Sequence, residues 1–85
     1  MPDQQPVEPR RYPVEPESAK ELERRFTYHP PKGDQAQRYQ ALRAMAMQGA
    51  RAIVQYTPPS REQSLALSKL EEASMWANAA IARNE

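Results

Sequence analysis

The chain contains no cysteine, so no disulfide braces it and no thiolate is present to serve as a nucleophile or a soft metal ligand. With a single histidine, His29, both a Cys-His pair and a histidine-rich metal site are excluded. Glycine is almost absent: Gly33 fits a helix entry, Gly49 fits a close helix contact, and neither lies in a phosphate-binding loop motif. Outside the proline-rich front of the chain, clustered carboxylates are confined to Glu21 with Glu23 and Glu71 with Glu72, and helical positions one or two apart point about 100° or about 200° from each other, a poor geometry for sharing a proton. No run approaches the ~18 apolar residues of a spanning helix, and the N-terminus carries no apolar signal region. Neither sign of charge dominates, since 12 basic side chains face 11 acidic ones for a net charge of +1. A general binder of DNA, RNA or a membrane surface would be more lopsided. These absences leave a non-enzymatic protein of a reducing cytoplasm, with no catalytic residue, metal or cofactor assigned.

What the chain does have is one long amphipathic stretch, Ser60 to Asn84, around which the rest is organised. Ser60 with Gln63 forms a capping-box pattern, and Pro58-Pro59 stops any earlier helix from running through. Leu67, Leu70, Ser74, Ala77 and Ile81 recur at three-four spacing and share one face. A second row, Ala66, Lys69, Ala73, Trp76 and Ala80, lies about a quarter turn away, too much apolar surface for one partner helix. A helix over 35–56 is expected upstream, capped by Asp34 and carrying Tyr39, Leu42, Ala46, Gly49, Ile53 and Tyr56 on one stripe. A second stripe of Ala41, Met45 and Ala52, together with Met47, Ala50 and Val54, leaves that helix only a narrow polar strip. A short turn between two long helices makes them antiparallel neighbours. The expected fold is therefore all-α: an antiparallel helical hairpin that cannot cover its own apolar faces and assembles as a homo-oligomer. Trp76 reads as a core or interface anchor, with a ligand-stacking platform as the alternative.

The front of the chain is different in kind. Residues 1–17 hold five of the nine prolines among charged and polar residues, with PVEP at 6–9 and again at 13–16 around Arg10-Arg11-Tyr12. Proline fixes its own backbone and extends the residue before it, so this segment reads as an extended or disordered tail, solvated or serving as a docking peptide. Residues 18–85 then form the hairpin domain. It opens with a short helix marked by Ser18 and Glu21, in which Leu22 and Phe26 share a face that docks lightly on the main body.

Candidate binding residues gather between that short helix and the hairpin. Tyr28 and His29 offer flat faces on which a base can stack. Lys32, Arg38 and Arg43 lie on the same loop and on the turns after it, where guanidinium groups suit bidentate phosphate contacts. The plainer alternative is arginines on a solvated helix face, with the aromatics fastening the loop to the hairpin.

A resemblance adds to this reading. Phe26-Thr27-Tyr28-His29-Pro30, Gly33-Asp34-Gln35, Tyr39, Leu42-Arg43, Ser60-Arg61-Glu62, Lys69-Leu70-Glu71-Glu72-Ala73 and the run from Met75 to Arg83 resemble the phage anti-CBASS cyclic-oligonucleotide sponges, whose hairpin is shared with an anti-Thoeris sponge. The resemblance implies a homo-oligomer, a hexamer in that family, which traps cyclic dinucleotides in the cytoplasm of the infected bacterial host without degrading them. It implies Tyr28 stacking on a base and Arg43 pairing with a phosphate. It also implies that His29 and Arg83 lie near a separate pocket for cyclic trinucleotides. Cyclic GMP-AMP-like and cyclic tri-adenylate-like ligands are the expected partners. A cyclic ADP-ribose-type Thoeris signal, or a structural hairpin with no ligand, is the alternative. Relatives of the dinucleotide-sponge type begin a few residues before the aromatic loop, whereas residues 1–25 precede it here.

Overall fold

The computed structural model describes residues 6–85. It contains three helices, α1 (Pro16–Phe26), α2 (Gln35–Tyr56) and α3 (Arg61–Asn84), and no strand among the described residues. The first five residues of the proline-rich tail lie outside the described residues, and 6–15 run exposed and without regular structure.

α1 begins at Pro16 rather than at the Ser18 signal, with Glu15 as its N-cap residue. Proline at the first helical position arrives with its φ preset and has no N–H to leave orphaned, so it starts the helix before Ser18 can cap it. Glu21 is accordingly free to accept from Arg24 and Arg25, at 3.0 and 2.8 Å. The Arg25 hydrogen bond is the main reason its carboxyl lies below the ordinary value of 4.5. The expected apolar docking of α1 does not occur within one chain: Leu22 and Phe26 are 47% and 79% exposed. The tie is polar instead, from Arg24 Nη2 to Asn84 Oδ1 at 2.8 Å.

α2 and α3 form the hairpin. Ser60 caps α3 by accepting from the Gln63 N–H at 3.1 Å. The reciprocal half of the capping box is diverted, because Gln63 Nε2 donates to the Thr57 carbonyl and hydroxyl, each at 3.1 Å, pinning the turn between the helices. The half-buried positions follow the stripes read from the sequence: Tyr39, Leu42, Ala46, Gly49 and Ile53 on α2, and Leu67, Leu70, Ser74, Ala77 and Ile81 on α3. Tyr56 falls outside the seam at 85% exposure, since it lies in the last turn beside the reversal of the chain.

Gly49 marks the close approach of the two helices. A Cβ there would sit 3.3 Å from Leu70 Cδ2 and 3.9 Å from Leu70 Cδ1. Gly49→Leu should overfill this contact and lower the denaturant midpoint by an amount worth ~1–3 kcal/mol. Gly49→Ala should leave the midpoint nearly unchanged, because the Leu70 methyl can shift slightly and alanine favours the helix by about 1 kcal/mol.

The hairpin has two walls and no interior. No apolar residue among those described is buried, and Gln35 is the one residue that is, at 4% exposure. The chain exposes 7843 Å², where a folded monomer of this mass is expected to expose about 5,100 Å². The tail supplies part of that excess, and the outer helix faces supply much of the rest: Met45, Met47, Met75 and Trp76 are each between 57% and 67% exposed. The overall extents of 67 × 41 × 16 Å describe a slab one helix layer thick.

Candidate functional site

Because α2 and α3 run antiparallel, the first turn of α2 lies beside the last turn of α3. The loop 27–34 joins this end to α1. Its sharp turn needs Gly33, whose φ of +56° lies in the left-handed region. Asp34 occupies the N-cap position but caps nothing with its side chain. Its carboxylate instead accepts from Arg38 Nε at 3.1 Å, one turn along. The capping role passes to the main chain, where the Gln35 N–H donates to the Lys32 carbonyl at 3.0 Å.

Beneath this turn the polar side chains converge on Glu85. Arg38 forks onto both carboxylate oxygens, with Nη1 on Oε2 at 2.8 Å and Nη2 on Oε1. Gln35 Nε2 donates to Oε1 at 3.2 Å, while Gln35 Oε1 accepts the Lys32 N–H at 3.0 Å. Lys32 Nζ donates to the Glu85 main-chain oxygen at 3.0 Å. The hydrogen bonds from Arg38 and then Gln35 hold the Glu85 carboxyl down at about 2, and the same pairing raises the already basic Arg38 guanidinium further. Two of the expected phosphate-binding cations, Lys32 and Arg38, are thus engaged by the chain itself.

The expected stacking residues are placed differently. Tyr28 projects from the loop at 82% exposure, with its ring open to solvent. His29 is half-buried, its Nε2 held 2.9 Å from the Arg24 main-chain oxygen. Arg83 lies over the Trp76 ring at 5.9 Å from its centroid, a cation–π contact. These two help to line a groove of about 590 Å³ between α1 and the end of α3, together with Arg24, Arg25 and Phe26. In one chain, then, Trp76 is not a core residue but an exposed ring with an arginine over it.

Arg43 sits elsewhere. Nine residues beyond Asp34, about 13 Å along the helix axis, it borders an apolar groove of about 510 Å³ between α2 and α3 that Met47, Leu67, Leu70, Glu71 and Met75 also line. Tyr28 is not part of that groove. A single chain therefore presents an exposed tyrosine ring, a cation bordering an apolar groove and an aromatic–arginine groove as three separate features. Sequence reading missed Gln35, Asn84, Glu85 and Arg24, which fix the loop. Their partners lie about fifty or sixty positions away along the chain, so no local spacing signals them.

The chemistry open to these groups is recognition: aromatic faces for bases and unengaged guanidinium groups for phosphates. Among the described residues, no three His, Asp or Glu side chains converge to hold a metal ion. No helix among the described residues is long and apolar enough to cross a membrane. Fold and site together define an all-helical hairpin that presents an aromatic-basic loop at one end. Residues 18–82, 65 of the 85 in the chain, match the family model described as Acb2/Tad1, hairpin domain. The chain belongs to that family, one of phage sponges that bind immune signals rather than degrade them. The match begins eight residues before Phe26, so most of α1 falls within it and the residues in front of it are 1–17. No curated protein and no solved structure matches the chain.

Proposed function

We propose that this protein sequesters CBASS-type cyclic oligonucleotides, dinucleotides first and trinucleotides in a second pocket type, and keeps them intact from their effectors in the cytoplasm of the infected cell. The observation that carries this reading is the exposure of Tyr28 on a loop whose flanks are hydrogen-bonded to the hairpin. An aromatic ring so exposed is free to stack on a base, and no side-chain hydrogen bond engages it among the described residues. Arg43 supplies the phosphate contact. Since Tyr28 and Arg43 border no common groove in one chain, the complete pocket forms at seams between copies, in a homohexamer. His29 and Arg83, on the α1 side of the hairpin, serve the trinucleotide pocket.

The test mixes purified protein with a panel of cyclic di- and trinucleotides and cyclic ADP-ribose isomers, removes free ligand, then heats the complex and identifies what is released. Intact cyclic GMP-AMP-like or tri-adenylate-like ligand is the expected product. Retention of a cyclic ADP-ribose isomer alone would move the protein to the Thoeris signal. A hydrolysed ligand would overturn sequestration, and retention of nothing would leave a purely structural hairpin.

A further inference from the structure

Two side chains at the end of α3 hold the loop that carries Tyr28 from both sides. Asn84 Oδ1 accepts from Arg24 in the last turn of α1, just before the loop. Glu85 accepts from Gln35 and Arg38 in the first turn of α2, just after it, and its main-chain oxygen takes Lys32 within the loop. The remaining restraints are local, such as His29 on the Arg24 carbonyl and the turn closed at Gly33. Without the contacts to residues 84 and 85, α1 and the loop would pivot on a hairpin they barely touch. Their apolar side chains, Leu22, Phe26 and Tyr28, are 47% exposed or more.

We infer that Asn84 and Glu85 are positioning residues for the ligand loop, and that Lys32 and Arg38 act on binding through Glu85 rather than by touching the ligand. The inference rests on the sponge reading for its effect on affinity, but not for its effect on the loop. The geometry separates the two roles of Arg38. A guanidinium that forks onto a carboxylate has used the donors that a phosphate would need. If the ligand were its true partner, Glu85 would be a competitor for the site. If the loop is what Arg38 serves, Glu85 is a collaborator.

The sign of one substitution therefore decides the matter. Glu85→Ala should weaken cyclic-dinucleotide binding by roughly tenfold, since an unfixed loop must be ordered at the moment of binding. Arg38→Ala should weaken it by a similar factor, and the double variant should be no worse than either single one, as expected for residues that act as a unit. The oligomer mass should not change. Hydrogen exchange of the amides in 27–34 should quicken in Glu85→Ala, with the α2–α3 seam unaffected. Affinity that is equal or higher in Glu85→Ala, or additive losses in the double variant, would return Lys32 and Arg38 to direct ligand contact. Should the native protein bind no cyclic nucleotide, the functional reading fails, and the exchange experiment still decides the clasp. Unchanged exchange in the loop would end it.

The groups facing Glu85 are Lys32 from the loop and Gln35 and Arg38 from α2, with Asp34 beside Arg38. The carboxyl titrates lower in the folded chain than its ordinary 4.5, so the restraint is fully present above that pH and fades as pH falls through about 2. Loop protection should accordingly hold at pH 5 and be lost on acidification below the ordinary carboxylate range.

Discussion

Light scattering at micromolar concentration should return a multiple of the 9.7 kDa chain mass, and Met45→Glu combined with Ala73→Glu should reduce it to a single chain with most of its helical signal gone. Both residues are exposed in one copy. On a true monomer such changes would be nearly silent, since surface substitutions usually fall within about 0.5 kcal/mol of neutral. In an assembly, both carboxylates would be desolvated without partners, which costs several kcal/mol each. The two outcomes therefore differ by far more than experimental error. The collapse should be deep because the hairpin contains no buried apolar residue to fall back on. Its surface excess over a compact monomer, about 2,700 Å² before the tail is discounted, lies in the range that obligate interfaces bury. A single-chain mass with native circular dichroism, in the native protein or in the double variant, would remove the seams to which the proposed function assigns ligand binding.

The hairpin was legible because helical periodicity reports which face is covered, and the covered faces here lie on two unbroken stripes. Leu67, Leu70, Ser74, Ala77 and Ile81 are half-buried, while the second row through Ala66, Ala73 and Trp76 is exposed. That division is what a strong primary stripe and a weaker secondary one imply. The start of α1 was misread because two rules competed. A serine with a glutamate three residues on suggests a cap at Ser18, yet Pro16 satisfies the first helical position on its own and wins by coming earlier in the chain. Asp34 failed as a side-chain cap for a similar reason, its carboxylate being drawn to Arg38 a turn away.

The site was only partly legible, and the reason is physical. Tyr28 was conspicuous as an aromatic in a proline-bound loop, and its side chain is exposed in one chain. Composition shows Lys32 and Arg38 as cations without showing that Glu85 engages both of them within one chain. Glu85 is 47 residues from Arg38, and only the antiparallel return of α3 brings them together. Arg43 and Arg83 lie on different grooves, one walled by leucine and methionine and the other by Trp76 and Phe26.

The remaining large effect falls on Tyr28 and Arg43. Tyr28→Ala should lower cyclic-dinucleotide affinity by about 30-fold to 10⁴-fold, because stacking is worth ~1–3 kcal/mol per base and a two-base ligand at a seam between copies meets the residue twice. Tyr28→Phe keeps the ring and should bind within a few-fold of the native protein. Arg43→Ala should lose a comparable amount, and Arg43→Lys should recover part of it, since an ammonium restores charge without the planar fork. All four variants should keep the native oligomer mass, as Tyr28 is 82% exposed and Arg43 borders its groove rather than filling the helix seam. The mass and the affinity must be read together. A Tyr28→Ala protein that dissociates would show that the ring is an interface anchor, whereas one that stays assembled and still binds would show that the base stacks elsewhere. Trp76, exposed and already paired with Arg83, is then the ring to test next, and loss of binding on Trp76→Ala with Tyr28→Ala silent would move the dinucleotide pocket to the α1 side of the hairpin.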